Sequence, residues 1–187
     1  MVGTFTTKEL AICALFGSMV FVVGYVLGTI VISMTGIPFT GGILNILVAA
    51  IIFFSGIRLL NEKFGVGALM FTIVSIIAIP TTIVGPPGVA KVAVGFLSGL
   101  VFDLVLRVAP KSKYRFALSS SLGVLASFFL SLCLMLYILH LPSAEQLLSM
   151  AYVLVPLYAV LGALGGHLGS WLYESKLKTR AFFRAIK

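Results

Sequence analysis

LAICALFGSMVFVVGYVLGTIVISM, Leu10–Met34, contains no charged side chain. An α-helix needs about 20 apolar residues to cross the hydrocarbon core of a bilayer, and this stretch exceeds that length. A transmembrane β-strand would alternate apolar and polar residues over about ten positions, and no such alternation is present. The stretch therefore reads as a membrane-spanning helix. Thr6–Thr7–Lys8–Glu9 immediately before it predicts a capping box, in which hydroxyl and carboxylate each take up a free N–H of the first turn. No cleavable signal peptide is expected in this stretch, because the apolar run is too long and no small-residue cleavage site follows a basic start.

The composition extends this reading to the whole chain. Of its 187 residues, 60% are hydrophobic and 10% charged, with a mean hydropathy of +1.20. An average soluble domain carries about 45–50% apolar and about 25% charged residues. So few charges cannot cover the surface of a water-soluble globule. A soluble enzyme, a disordered chain and a secreted disulfide scaffold are excluded. The two cysteines, Cys13 and Cys133, each lie in an apolar run and form no disulfide framework, zinc set or redox pair; they read as buried, small apolar side chains.

Six spans are expected, at about 10–34, 42–60, 66–84, 89–108, 116–140 and 147–173, forming one domain over residues 1–187. The breaks are Thr35–Gly41, Asn61–Lys63, Gly85–Pro86–Pro87–Gly88, Ala109–Arg115 and Leu141–Gln146. Glycine and proline dominate two of them and cannot continue a helix. The net charge is +8, and its distribution orients the chain. With six spans, Lys8, Arg58, Lys63, Arg107, Lys111, Lys113, Arg115, Lys176, Lys178, Arg180, Arg184 and Lys187 fall on one side, and only Lys91 on the other. The positive-inside rule places both termini in the cytoplasm. No cytoplasmic connection is long enough to hold an ATPase, so energy must come from a partner or an ion gradient.

Few residues carry chemistry. Asp103 and Arg107 are four apart, acid first, which predicts an ion pair near the cytoplasmic end of span four. Lys91 reads either as a cation snorkelling to the outer interface or as a ligand for an anionic or hydrogen-bond-accepting group. Asn45 would bond a ligand or a neighbouring helix. Tyr137, His140, Glu145, Gln146 and Tyr152 gather at the outer end, where an aromatic belt or a ligand pocket would use them. His167 and Trp171 sit at the inner end of span six. Ala14 and Ser18, Gly24 and Gly28, Gly162 and Gly166, and Gly165 and Gly169 are small residues four apart, suited to close helix packing or to docking another membrane protein. The two histidines lie at opposite faces, and no HExxH or phosphate loop occurs. No catalytic residue, metal site or cofactor is expected.

KELAICALFGS, Lys8–Ser18, and IVGPPGVAKVAVGFLSGLVFDL, Ile83–Leu104, carry a family likeness. The first is similar to the small-residue first helix, and the second to the third loop and fourth helix, of the substrate-binding S components of energy-coupling-factor (ECF) transporters. The six-span, N-in/C-in plan resembles that family over nearly the whole chain. Ser18 departs from its alanine-every-four pattern. The resemblance implies a prokaryotic plasma-membrane protein that binds a vitamin or related micronutrient and works with a coupling membrane subunit and two ABC ATPases, with no nucleic-acid partner. By position it assigns Lys91, Tyr137, His140, Glu145, Tyr152 and Asn45 to the ligand, and Ala14 and Ser18 to the coupling subunit. The alternatives are a self-sufficient small transporter or channel, and a membrane scaffold that binds no small molecule.

Overall fold

The computed structural model describes residues 5–35, 41–81, 85–112 and 114–179. Ile83, Val84, Lys113, the centre of the 35–41 connection and the tail with Arg180, Phe182, Phe183, Arg184 and Lys187 lie outside the described residues. Among those described, seven α-helices follow one another: α1 (Thr7–Thr35), α2 (Gly41–Leu59), α3 (Val66–Ile77), α4 (Ala90–Val108), α5 (Arg115–Tyr137), α6 (Pro142–Ser149) and α7 (Ala151–Leu172). A π-helical turn, Tyr173–Leu177, extends α7.

The capping box forms as expected. The Thr6 N–H donates to Glu9 Oε2 at 2.7 Å, and the Glu9 N–H donates to Thr6 Oγ1 at 3.3 Å. Two expected segments, one span and one loop, need correction. The third helix ends at Ile77 rather than near Val84. Pro80 accounts for this, since its ring would collide with the carbonyl of Ile76 and it disfavours helical backbone at Ile79. The segment Leu141–Gln146, expected as a loop, lies largely within α6. Pro142 at its start fixes φ for the first turn, and Glu145 in that turn suits the positive end of the helix dipole. At the preceding corner His140 has φ 49°, a left-handed conformation uncommon outside glycine.

Contacts between neighbours close a ring in the order α1, α2, α7, α5, α4, α3 and back to α1, with α6 packed on α5 and α7. Glycines set its tightest joints. Methyl groups placed on Gly166 and Gly169 would lie 2.4 Å from the Phe116 carbonyl oxygen and 2.6 Å from that of Ile51. Gly162 and Gly166 thus face α5 while Gly165 and Gly169 face α2, so the two offset stripes on α7 serve two neighbours within the bundle.

One end of the ring is basic. The Arg58 guanidinium pairs with Glu62 at 2.5 Å and with Glu174, Arg115 also pairs with Glu62, and Lys63 pairs with Glu9 at 2.8 Å. These bonds join the start of α1, the α2–α3 turn, the start of α5 and the end of α7. Above them the rings of Phe53, Phe54, Phe71, Phe102 and Phe116 stack edge-on or tilted, with centroids 5.0 to 6.3 Å apart. This aromatic plug fills the axis at the basic end.

The outside of the bundle is apolar, with Leu15, Val22, Val26 and Ile30 of α1 and Phe129, Val160 and Leu164 of α5 and α7 exposed. Three segments, Thr7–Met34, Arg115–Tyr137 and Ala151–Leu177, are long and apolar enough to cross a membrane. The molecule is compatible with a helical membrane bundle.

Candidate functional site

A ring of six helices leaves space on its axis, and beyond the aromatic plug that space is a cavity of about 1220 Å³. Phe53, Phe54 and Phe102 close its floor, and Phe21, Phe128 and Tyr158 form aromatic walls. At the other end it reaches Gly85–Pro87 and, from α6, Ser143, Gln146 and Leu147. Hydroxyl and amide groups dot the walls: Asn45, Ser75, Ser127, Ser131 and the Tyr158 phenol. An apolar chamber with a few polar groups is the usual form of a small-molecule site. Phe128 and Tyr158 meet edge to face, with ring centroids 5.4 Å apart and planes at 90°.

The wall formed by α3 and α4 has a specific construction. Lys91, Gly95, Gly99 and Asp103 recur every four residues on one face of α4. The two glycines bring α3 close: a methyl on Gly99 would lie 2.5 Å from Ala68 Cα, and one on Gly95 would lie 2.9 Å from the Phe71 carbonyl oxygen. The two charges then reach the two ends of α3, which is about 18 Å long at 1.5 Å per residue. Asp103 accepts hydrogen bonds from the N–H groups of Gly65, Gly67 and Ala68 at 3.1, 3.0 and 2.9 Å. Lys91 Nζ donates to the Ala78 carbonyl at 2.8 Å and to the carbonyl and hydroxyl of Thr81. Acid at the N-terminus and cation at the C-terminus is the arrangement that the helix dipole favours.

Two expectations about these charges are corrected. Asp103 does not pair with Arg107, whose guanidinium instead lies 5.5 Å over the ring of Phe64. The N–H groups at the start of α3 have no partner within their own helix and hold the carboxylate. Lys91 does not snorkel outward. It is 3% exposed, turned inward onto the end of α3, and contributes to the cavity wall.

Asn45 also lines the cavity. Gly24 makes room for its amide, since a methyl there would lie 2.4 Å from Asn45 Oδ1, and that oxygen is buried without a hydrogen-bond partner. The other four candidates are elsewhere. Tyr137 and Tyr152 are 75% and 81% exposed, on the outside of the bundle. His140 and Glu145 border a separate recess of about 250 Å³ with Leu136, Leu141 and Pro142. Height along the helix axis had grouped these residues, and rotation about that axis separates them. Ser127, Ser131, Phe128 and Tyr158 line the cavity although they are not among the candidates expected from the sequence. The four-residue spacing of Ser127 and Ser131 was a readable sign of a polar stripe on α5.

Ala14 is exposed and Ser18 half-buried on α1. Cys13 is fully buried, whereas Cys133, expected to be buried, is exposed on α5. His167 and Trp171 are exposed near the end of α7. Among the described residues no group of three His, Cys, Asp or Glu side chains could hold a metal ion. The chain matches no family model, no curated protein and no solved structure.

Proposed function

We propose that this chain is the substrate-binding subunit of an ECF-type ABC importer, capturing a vitamin-like micronutrient from outside the cell. The observation that carries the reading is the cavity of about 1220 Å³ inside a single small helix ring. It is plugged by aromatic rings and ion pairs at the basic end and extends to short segments at the other. In this reading α1, α2, α3, α4, α5 and α7 are the six spans. The bias of twelve of the thirteen basic residues to one side supports a cytoplasmic position for the plugged end and both termini, and in this reading the cavity serves the outer face. Because α3 is short, the third span in this reading also takes in the non-helical backbone described at 78–81 and 85–89; such backbone is tolerated at membrane depth where it is packed on protein or lines a cavity.

In this reading delivery requires partners, because no connection between the spans is long enough to hold an ATPase. Ala14 and Ser18, on a face rimmed by Leu15, Met19 and Val22, are proposed to admit a helix of the coupling subunit at close range. The test is gentle detergent co-purification from source membranes with mass-spectrometric identification of bound proteins. Recovery of one coupling membrane subunit and two ABC ATPases is the expected result. A clean preparation of this chain alone, able to drive ion-coupled uptake in vesicles, would replace the reading with a self-sufficient transporter.

A further inference from the structure

We infer that the ligand of this cavity is an anion, a small molecule with one carboxylate on an otherwise apolar or aromatic body; the inference rests on the reading of the cavity as a binding site. Its ground is the charge inventory of the walls. Lys91 is 3% exposed and is one of the residues that line the cavity. Its acceptors are neutral: the Ala78 and Thr81 carbonyls and, at 3.4 Å, the Thr81 hydroxyl.

Helix dipoles do not cancel this charge. The C-terminus of α3 offers about half a negative charge, but Lys91 also sits in the first turn of α4, whose N-terminus presents about half a positive one. The two contributions oppose each other and leave the ammonium close to a full unit. Every acid of the chain is accounted for elsewhere. Glu9, Glu62 and Glu174 are in ion pairs at the basic end. Asp103 is held by N–H groups at the far end of α3, and Glu145 borders the separate recess.

Among the described residues the cavity lining thus carries one lysine and no carboxylate, within apolar walls that screen charge poorly. A cationic ligand is repelled and an anion attracted. One ammonium balances the single charge of a carboxylate, whereas a multiply charged phosphate would leave charge uncompensated within apolar walls. The Thr81 hydroxyl, the most distant of the three acceptors, is the bond a ligand oxygen would replace.

The test uses the intact chain purified in mild detergent and incubated with a deproteinised extract of the source cells. Gel filtration removes free solutes, and retained small molecules are identified by mass spectrometry in both ion modes. The expected result is an enriched carboxylic acid whose methyl ester binds about 10- to 100-fold more weakly, the range for losing a hydrogen bond to a charged group. Lys91→Met is expected to lose the acid and Lys91→Arg to keep part of the affinity; the ester comparison on the unmutated chain covers the case in which Lys91→Met fails to fold. A retained cation or uncharged molecule, or an ester that binds as well as the acid, overturns the inference while leaving the cavity a binding site. Retention of nothing overturns the binding reading itself.

Discussion

Asp103 illustrates how a single side chain is decided by its surroundings. Its carboxylate is buried and accepts three backbone N–H groups. Asp103→Ala leaves those donors unpaired at a buried helix start, and a loss of at least about 2 kcal/mol is expected. Asp103→Asn, which keeps one acceptor oxygen, should fall between. Arg107→Ala should be near neutral, because Arg107 touches Phe64 rather than Asp103. Thermal unfolding in detergent reads all three, and an Arg107→Ala loss equal to that of Asp103→Ala would restore the ion pair. Tyrosines make a second comparison. Tyr158 lines the cavity and Tyr152 is exposed outside it. Tyr158→Ala should weaken small-molecule retention at least several-fold and Tyr152→Ala leave it unchanged; the reverse order would relocate the pocket to the outer rim.

At the scale of elements, the α3–α4 pair depends on two glycines with unequal tolerance. A methyl on Gly95 meets the Ser75 hydroxyl, which can rotate, and the Phe71 carbonyl at 2.9 Å. A methyl on Gly99 meets the backbone of Gly67 and Ala68 at 2.5 to 2.8 Å, where nothing can turn aside. Gly99→Ala should therefore destabilise by more than about 2 kcal/mol, as overpacking against fixed atoms does, and Gly95→Ala by less. Comparing the two unfolding temperatures checks this, and equal effects would mean that the helices separate easily. α3 also shows why hydropathy overestimates a span. Ile77–Ile79 and Ile83–Val84 are apolar on both sides of Pro80. A hydropathy reading passes through a proline that the helix backbone cannot accommodate.

Across the whole molecule, the ring separates three surfaces with distinct tasks. The ion pairs and aromatic plug fasten one end, the cavity occupies the axis, and the apolar exterior is available to lipid or a partner. Ser18→Leu fills the small-residue face of α1 without approaching the cavity. The proposed function predicts that this variant no longer co-purifies with the coupling subunit and still retains the small molecule. Normal assembly of the variant would remove α1 from the interface. Glu62→Gln weakens the pairs with both Arg58 and Arg115. Faster hydrogen exchange at the α2–α3 turn and the start of α5 is expected, with little change around α6. Uniform protection would show that the aromatic plug alone holds that end.

The sequence by itself determined that the chain is helical and apolar. It also placed the start of α1, both boundaries of α2 and α4 to within one residue, and the segregation of its basic residues, because helix length, caps, glycine–proline breaks and charge sidedness are local properties of the chain. Rotation about each helix axis was decided only by the tertiary structure. It turned Tyr137 and Tyr152 outward, and it turned Asn45, Lys91 and Tyr158 toward the cavity. It also gave Asp103 and Lys91 to the ends of another helix. In a chain whose outer and inner faces are both apolar, hydrophobic periodicity does not mark which face points inward. The closing of the ring makes that choice, through contacts between residues far apart in sequence.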